Sequence, residues 1–140
     1  MTDMFDLGRF VEAQDHVYES VIDQLMVGQK RGHWMWYVFP QIQGLGASRM
    51  AQRYAISCRD EAEAYSEHPI LGLRLRACTT LVMNAGRDID VMFGHPDSLK
   101  FRSSMTLFEH ASTGNGIFQD ALIKCFGGTR DQRTLDFFEK

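Results

Sequence analysis

His33-Trp34-Met35-Trp36-Tyr37-Val38-Phe39-Pro40-Gln41 is the stretch on which the fold turns. Its apolar residues from Trp34 to Phe39 suit either a buried strand or a short buried helix, and periodicity alone does not separate the two. In a strand Trp34 and Trp36 share a face, whereas in a helix they diverge. The flanks favour the helix. Upstream, Phe10, Ala13, Val17, Val21 and Leu25 recur every three or four residues, with Asp6 placed to cap the start and Gly28 near the end. Pro40 disfavours helical geometry at Phe39 and cannot donate a backbone hydrogen bond, so Gln41 to Ala47, with Gly44 and Gly46, reads as a loop leaving the core.

Downstream the helical period resumes. Ser48 suits the N-cap of a helix with Ala51, Tyr54, Ala55 and Cys58 on one face, and Asp60 with Glu63 has capping-box spacing for a segment ending at His68. Pro69 opens a helix carrying Leu71, Leu75, Cys78 and Val82 as far as Gly86, which we expect to be central. A brief segment from Asp88 to Phe93 precedes Pro96 and a helix with Phe101, Met105 and Phe108 on its apolar face. Phe118, Ala121, Leu122 and Cys125 mark another, ended by Gly127-Gly128, and Thr129 with Gln132 offers a capping box before Leu135 and Phe138. The expectation is an all-α fold, a compact bundle or array of about seven or eight short helices.

Bulk properties agree with one folded unit. A chain of 140 residues is expected to form a single helical domain over 1–140, burying about two thirds of its unfolded surface. Hydrophobic residues make up 44% and charged residues 24%, which excludes a disordered chain. The net charge of -3 argues against a DNA-binding protein, although basic clusters occur at Lys30-Arg31, Arg49 with Arg53, and Arg74 with Arg76. Three separated cysteines, Cys58, Cys78 and Cys125, fit neither a disulfide framework nor a metal site and read as small buried hydrophobes. Without a leader-like start or a long apolar run, a cytoplasmic protein with no membrane contact is expected.

The candidate chemistry gathers around the aromatic run. His33, beside Lys30 and Arg31, has the residue type of a general base. Trp34 or Trp36 offers a ring to stack on a planar ligand, and Gln41 a donor and an acceptor together for an amide or ring edge. Backbone amides at the helix begun by Ser48, supplemented by Arg49, favour an anion. Lys100, Ser103, Ser104 and Leu107 share a helical face, so Lys100 and Ser103 are candidates for a base and nucleophile, and Ser104 for the polar wall of a pocket. No spacing of His, Cys, Asp or Glu suggests a metal, and no cofactor motif is present.

His33 to Gln41, then Gly44-Leu45-Gly46, Tyr54-Ala55-Ile56, His68-Pro69-x-Leu71-Gly72-x-Arg74-Leu75, Lys100-x-x-Ser103-Ser104-Met105-Thr106-Leu107-Phe108, and Asp131 to Leu135 together resemble the bacterial domain-of-unknown-function family 1810. The likeness runs over nearly the whole chain, with one departure at Gly32, where it leads us to expect serine. It implies a compact all-helical domain and carries over no reaction, cofactor or site residue. Some members bear the label calpastatin, but calpastatin-type inhibitors are disordered and polar, and this chain is patterned to fold.

Two functional readings follow. The first is a small ligand-binding protein or enzyme whose partner is a planar, anionic, nucleotide-like or ADP-ribose-like molecule, held by Trp34, Trp36, Gln41, Arg49 and Ser104 with His33, Lys100 and Ser103 as reacting groups. The second is a non-enzymatic helical protein-interaction module with an exposed apolar patch and no concave polar cluster. Either is expected as a monomer or weak homodimer.

Overall fold

The computed structural model describes residues 3–112 and 116–139, and among these ten helices form. They are α1 (Gly8–Asp15), α2 (Tyr18–Val27), α3 (Met35–Val38), α4 (Arg49–Arg53), α5 (Arg59–Glu67), α6 (Leu71–Asn84), α7 (Ile89–Phe93), α8 (Asp97–Ala111), α9 (Ile117–Phe126) and α10 (Gln132–Phe138). The all-α class holds, with more helices than the seven or eight expected. Extended backbone pairs in one place among the described residues, a parallel bridge between Ile42 and Ile56.

Two of the expected helices are shorter than their apolar periods. The first breaks at His16-Val17, where Val17 leaves helical geometry at φ -130°, although the stripe continues through Val21 and Leu25. Asp6 is not the cap: the Asp3 carboxylate accepts from the Leu7 and Gly8 amides instead, at 2.7 and 2.8 Å. The helix capped by Ser48, whose Oγ accepts from Ala51 N at 3.1 Å, ends at Arg53 rather than running to Cys58.

Two expected capping boxes are replaced by neighbours. Before α5, Glu61 reaches back to the amide and hydroxyl of Ser57 (2.8 and 2.7 Å), displacing the Asp60–Glu63 box. Before α10, Asp131 accepts from Thr134 N at 3.0 Å, displacing Thr129 and Gln132. Before α6 the ring Nδ1 of His68 accepts from Ile70 N and Leu71 N. Gly28 and Gly127 end α2 and α9 in the left-handed conformation, as expected.

The central helix is α8, not α6. Helices α3, α5, α7, α9 and α10 all pack on α8, while α6 packs on α2, α5 and α9. Nine of the fifteen α8 residues are buried, including Phe101, Met105 and Phe108. One aromatic chain runs from Trp34 through Phe93 to Phe101, with Phe39 standing edge-on to Phe101 at 4.9 Å between ring centres. A second links Phe10, Tyr65, Phe108 and Phe118. Edge-to-face pairs at these spacings add to burial that is itself about 25 cal/mol per Å² of apolar surface. Gly72 allows α6 to start against α5, because a Cβ there would lie 2.1 Å from the Ser66 carbonyl oxygen.

The aromatic run forms α3, one turn long, and the physics of its end explains a buried polar residue. Pro40 supplies no N–H and the chain turns away, so the Tyr37 carbonyl lacks a helical partner. Gln14, almost fully buried on α1, donates to that carbonyl at 2.7 Å, and the Tyr65 hydroxyl stands 3.4 Å from it. Among the described residues no helix is long and apolar enough to cross a membrane.

Candidate functional site

A one-turn helix sends Trp34 and Trp36 in different directions. Trp34 is 3% exposed and its indole N–H donates to Gln24 Oε1 at 2.9 Å. Trp36 is only half-buried and lines a groove with Gln41, Lys100 and Ser103. The groove has a volume of about 630 Å³ and runs between the Leu45–Ser48 loop, the first turns of α8 and the start of α10.

Its lysine, Lys100, is placed by a network at the mouth of α8. Asp97 takes Lys30 Nζ on one carboxylate oxygen (2.8 Å) and Lys100 Nζ on the other (3.2 Å). Each ammonium also lies over an indole, Lys30 5.0 Å from the centre of Trp34 and Lys100 5.1 Å from that of Trp36. Burial alone would push the Asp97 carboxyl up, but the hydrogen bonds and charges of the two lysines outweigh it and hold it below its usual value.

Arg102 and Arg133 also line the groove, facing one acid, Asp131. That carboxylate is committed to capping α10 through Thr134 N and Oγ1, and its Oδ1 lies 3.9 Å from Arg102 Nη2. Arg102 Nε is buried with no hydrogen-bond partner among the described residues. Arg133 Nη2 donates to the Gly44 carbonyl at 3.1 Å, tying α10 to the loop. The loop is fixed on its other side by the bridge, where Ile56 N donates to Gln41 O and Gln43 N to Ile56 O, both at 2.9 Å. Gly46 is required there, since a Cβ would stand 2.8 Å from that of Ala51.

The remaining expected site residues are scattered. Trp34, read as a stacking ring, is a core residue closed to ligand by Phe39 and Phe93. His33 is exposed, its ring centre 6.5 Å from that of Trp36, and lines neither this groove nor the pocket next to it. Ser104 is fully buried and Arg49 fully outside, neither in the lining.

Lys100 and Ser103 share the groove, and each is engaged there with a neighbour. The Ser103 hydroxyl donates to Leu99 O at 3.1 Å and the Lys100 ammonium is held by Asp97. Among the described residues no three His, Cys, Asp or Glu side chains gather closely enough to hold a metal ion. Burial raises the Cys78 thiol to about 12, an inert group, whereas Cys58 and Cys125 are only half-buried, against expectation.

Sequence reasoning missed Arg102 and Arg133. Lys100 with Arg102 and Arg130 with Arg133 are spaced like the basic clusters singled out above, but no local pattern shows that Arg102 and Arg133 share a groove, which follows from α10 docking beside α8.

The comparisons with known proteins place this geometry in a family. The family model described as "Protein of unknown function (DUF1810)" matches residues 4–138. The crystal structure of the conserved hypothetical protein Rv1873 from Mycobacterium tuberculosis is 54% identical, with a TM-score of 0.94 over 96% of this chain and 97% of that one. No curated protein matches.

Proposed function

We propose, for a chain that belongs to the DUF1810 family and takes no reaction from it, that the groove beside Trp36 binds a small planar anion, nucleotide-like or ADP-ribose-like in class. The observation that carries this reading is the meeting of a half-exposed indole, an ammonium 5.1 Å above it and two arginines in one concavity. Trp36 stacks on the ring of the ligand. Lys100, Arg102 and Arg133 neutralise its anionic group, for which a guanidinium offers paired donors. Gln41, whose carboxamide has no hydrogen-bond partner among the described residues, reads a polar ring edge. Ser103 and His33 are then wall and rim rather than reacting groups. A concave, cationic, aromatic-lined groove of this kind favours a ligand-binding protein over a helical interaction module, which needs none of these features.

Titration calorimetry with ADP and ADP-ribose tests the proposal. Saturable binding to the unaltered protein is expected. Trp36→Ala should weaken it by roughly tenfold or more, the loss of about 1–3 kcal/mol of stacking, and Lys100→Met should weaken it comparably. No heat with either compound, or an affinity in both variants unchanged from that of the unaltered protein, would reject the groove as the site.

A further inference from the structure

Next to the groove lies a second pocket, of about 530 Å³, and its chemistry differs from that of the groove. Trp36, Gln41, Gly46 and Ala51 line both, so the two are adjoining halves of one depression. Not one charged side chain lines the second half; its walls include Tyr54 and Phe137 and the carboxamides of Gln41, Gln43 and Gln52. Gln52 spends its amide N–H on Ala47 O at 2.9 Å and keeps its oxygen as an acceptor. Gln41 and Gln43 have no side-chain hydrogen-bond partner among the described residues, so the pocket presents unused donors and acceptors between aromatic walls.

Charge divides the depression at Trp36. An anion moved into the neutral half would lose water with no cation to replace it, a costly transfer. An uncharged heterocycle in the cationic half would leave Arg102 Nε without a partner and the amides of the neutral half uncontacted. The ligand that satisfies both halves carries an uncharged, hydrogen-bonding ring at one end and an anionic group at the other. A nucleoside diphosphate has that construction, whereas a compact aromatic acid, with ring and charge in one plane, fills the groove alone.

We infer that the neutral pocket is the base-binding half of a two-part nucleotide site, with the phosphates in the cationic groove; this rests on the function proposed above. In that arrangement Gln41, Gln43 and Gln52 determine which ring edge is accepted, and Trp36 is the partition on which the nucleoside lies.

Calorimetry with three probes, ADP, inorganic pyrophosphate and salicylate, separates the inference from the reading beneath it. ADP should bind about tenfold tighter than pyrophosphate or salicylate, through the added stacking and edge contacts. Phe137→Ala removes a wall of the neutral pocket, and Gln52→Glu places a charge there at an exposed position that leaves the core untouched. Each should weaken ADP by roughly fivefold or more while pyrophosphate stays within about twofold, and Lys100→Met should weaken both. Pyrophosphate binding with ADP no tighter, salicylate matching ADP, or Gln52→Glu shifting ADP and pyrophosphate equally would overturn the two-part site and leave the cationic groove standing. Failure of all three probes to bind would remove the groove as an anion site, and the inference with it.

Discussion

Trp34 and Trp36 lie two positions apart, and their fates differ because a helical turn separates such neighbours while a strand aligns them. The local pattern therefore implies that the two rings meet different surroundings, but which one joins the core is set by what packs on α3. Phe39 and Phe93 close over Trp34, and Lys100 comes to rest over Trp36. Gln14 was less legible. It interrupts an apolar stripe, and its purpose appears only when Pro40 leaves the Tyr37 carbonyl without a donor and α1 brings a carboxamide to it. Gln14→Leu should therefore cost about 1–3 kcal/mol, the penalty for an unpartnered buried carbonyl, although the new side chain is apolar and similar in size. Urea unfolding measures the loss, and an unchanged midpoint would show that Tyr65 alone suffices.

Among the helices, α7, α8 and α9 begin and end close to where their residues indicate, with Asp88, Pro96 and Gly127 marking boundaries. Helix α1 was not separable from α2, because no proline or glycine marks the break and the stripe of Val17, Val21 and Leu25 keeps its period across it. The centrality of α8 was hidden for another reason. Apolar spacing shows that a helix has a buried face, whereas Ser98, Ser103, Ser104 and Thr106, also buried, look like a solvated side until the fold is assembled, as where Thr106 Oγ1 accepts from Asp131 N at the start of α10. The start of α8 carries a pH-dependent element. Asp97 is held below its ordinary 3.8 by Lys30 and Lys100, so its stabilising effect is complete above that pH and is lost as pH falls through the lowered folded value. Asp97→Asn should destabilise the protein near neutrality by roughly 2–3 kcal/mol, leaving the buried Lys30 ammonium unpaired, and should flatten the acid limb of stability. Urea midpoints measured between about pH 2 and 7 check both, and a variant with an unaltered acid limb would place that limb on other carboxylates such as Asp3.

Across the whole molecule, the all-helical class was legible because every periodic segment agreed, and the aromatic run took its state from its neighbours. Half of the candidate site was legible as well. Trp36, Gln41, Lys100 and Ser103 do share one groove, whereas His33, Trp34, Ser104 and Arg49 lie outside it. Arg102 and Arg133 come from sequence positions 31 apart, and no local pattern shows that they meet; α10 brings them together, and the neutral pocket depends on the same docking through Phe137. The site is thus a product of the assembled array rather than of any one segment. Under the proposed function Trp36, not Trp34, meets the ring of the ligand, and the chain has only these two tryptophans. In Trp34→Phe, Trp36 is the sole indole fluorophore, and ADP should quench it saturably with the affinity found by calorimetry, while Trp36→Phe should show no quenching. Unchanged Trp36 emission at saturating ADP, or equal quenching in the two variants, would contradict the account.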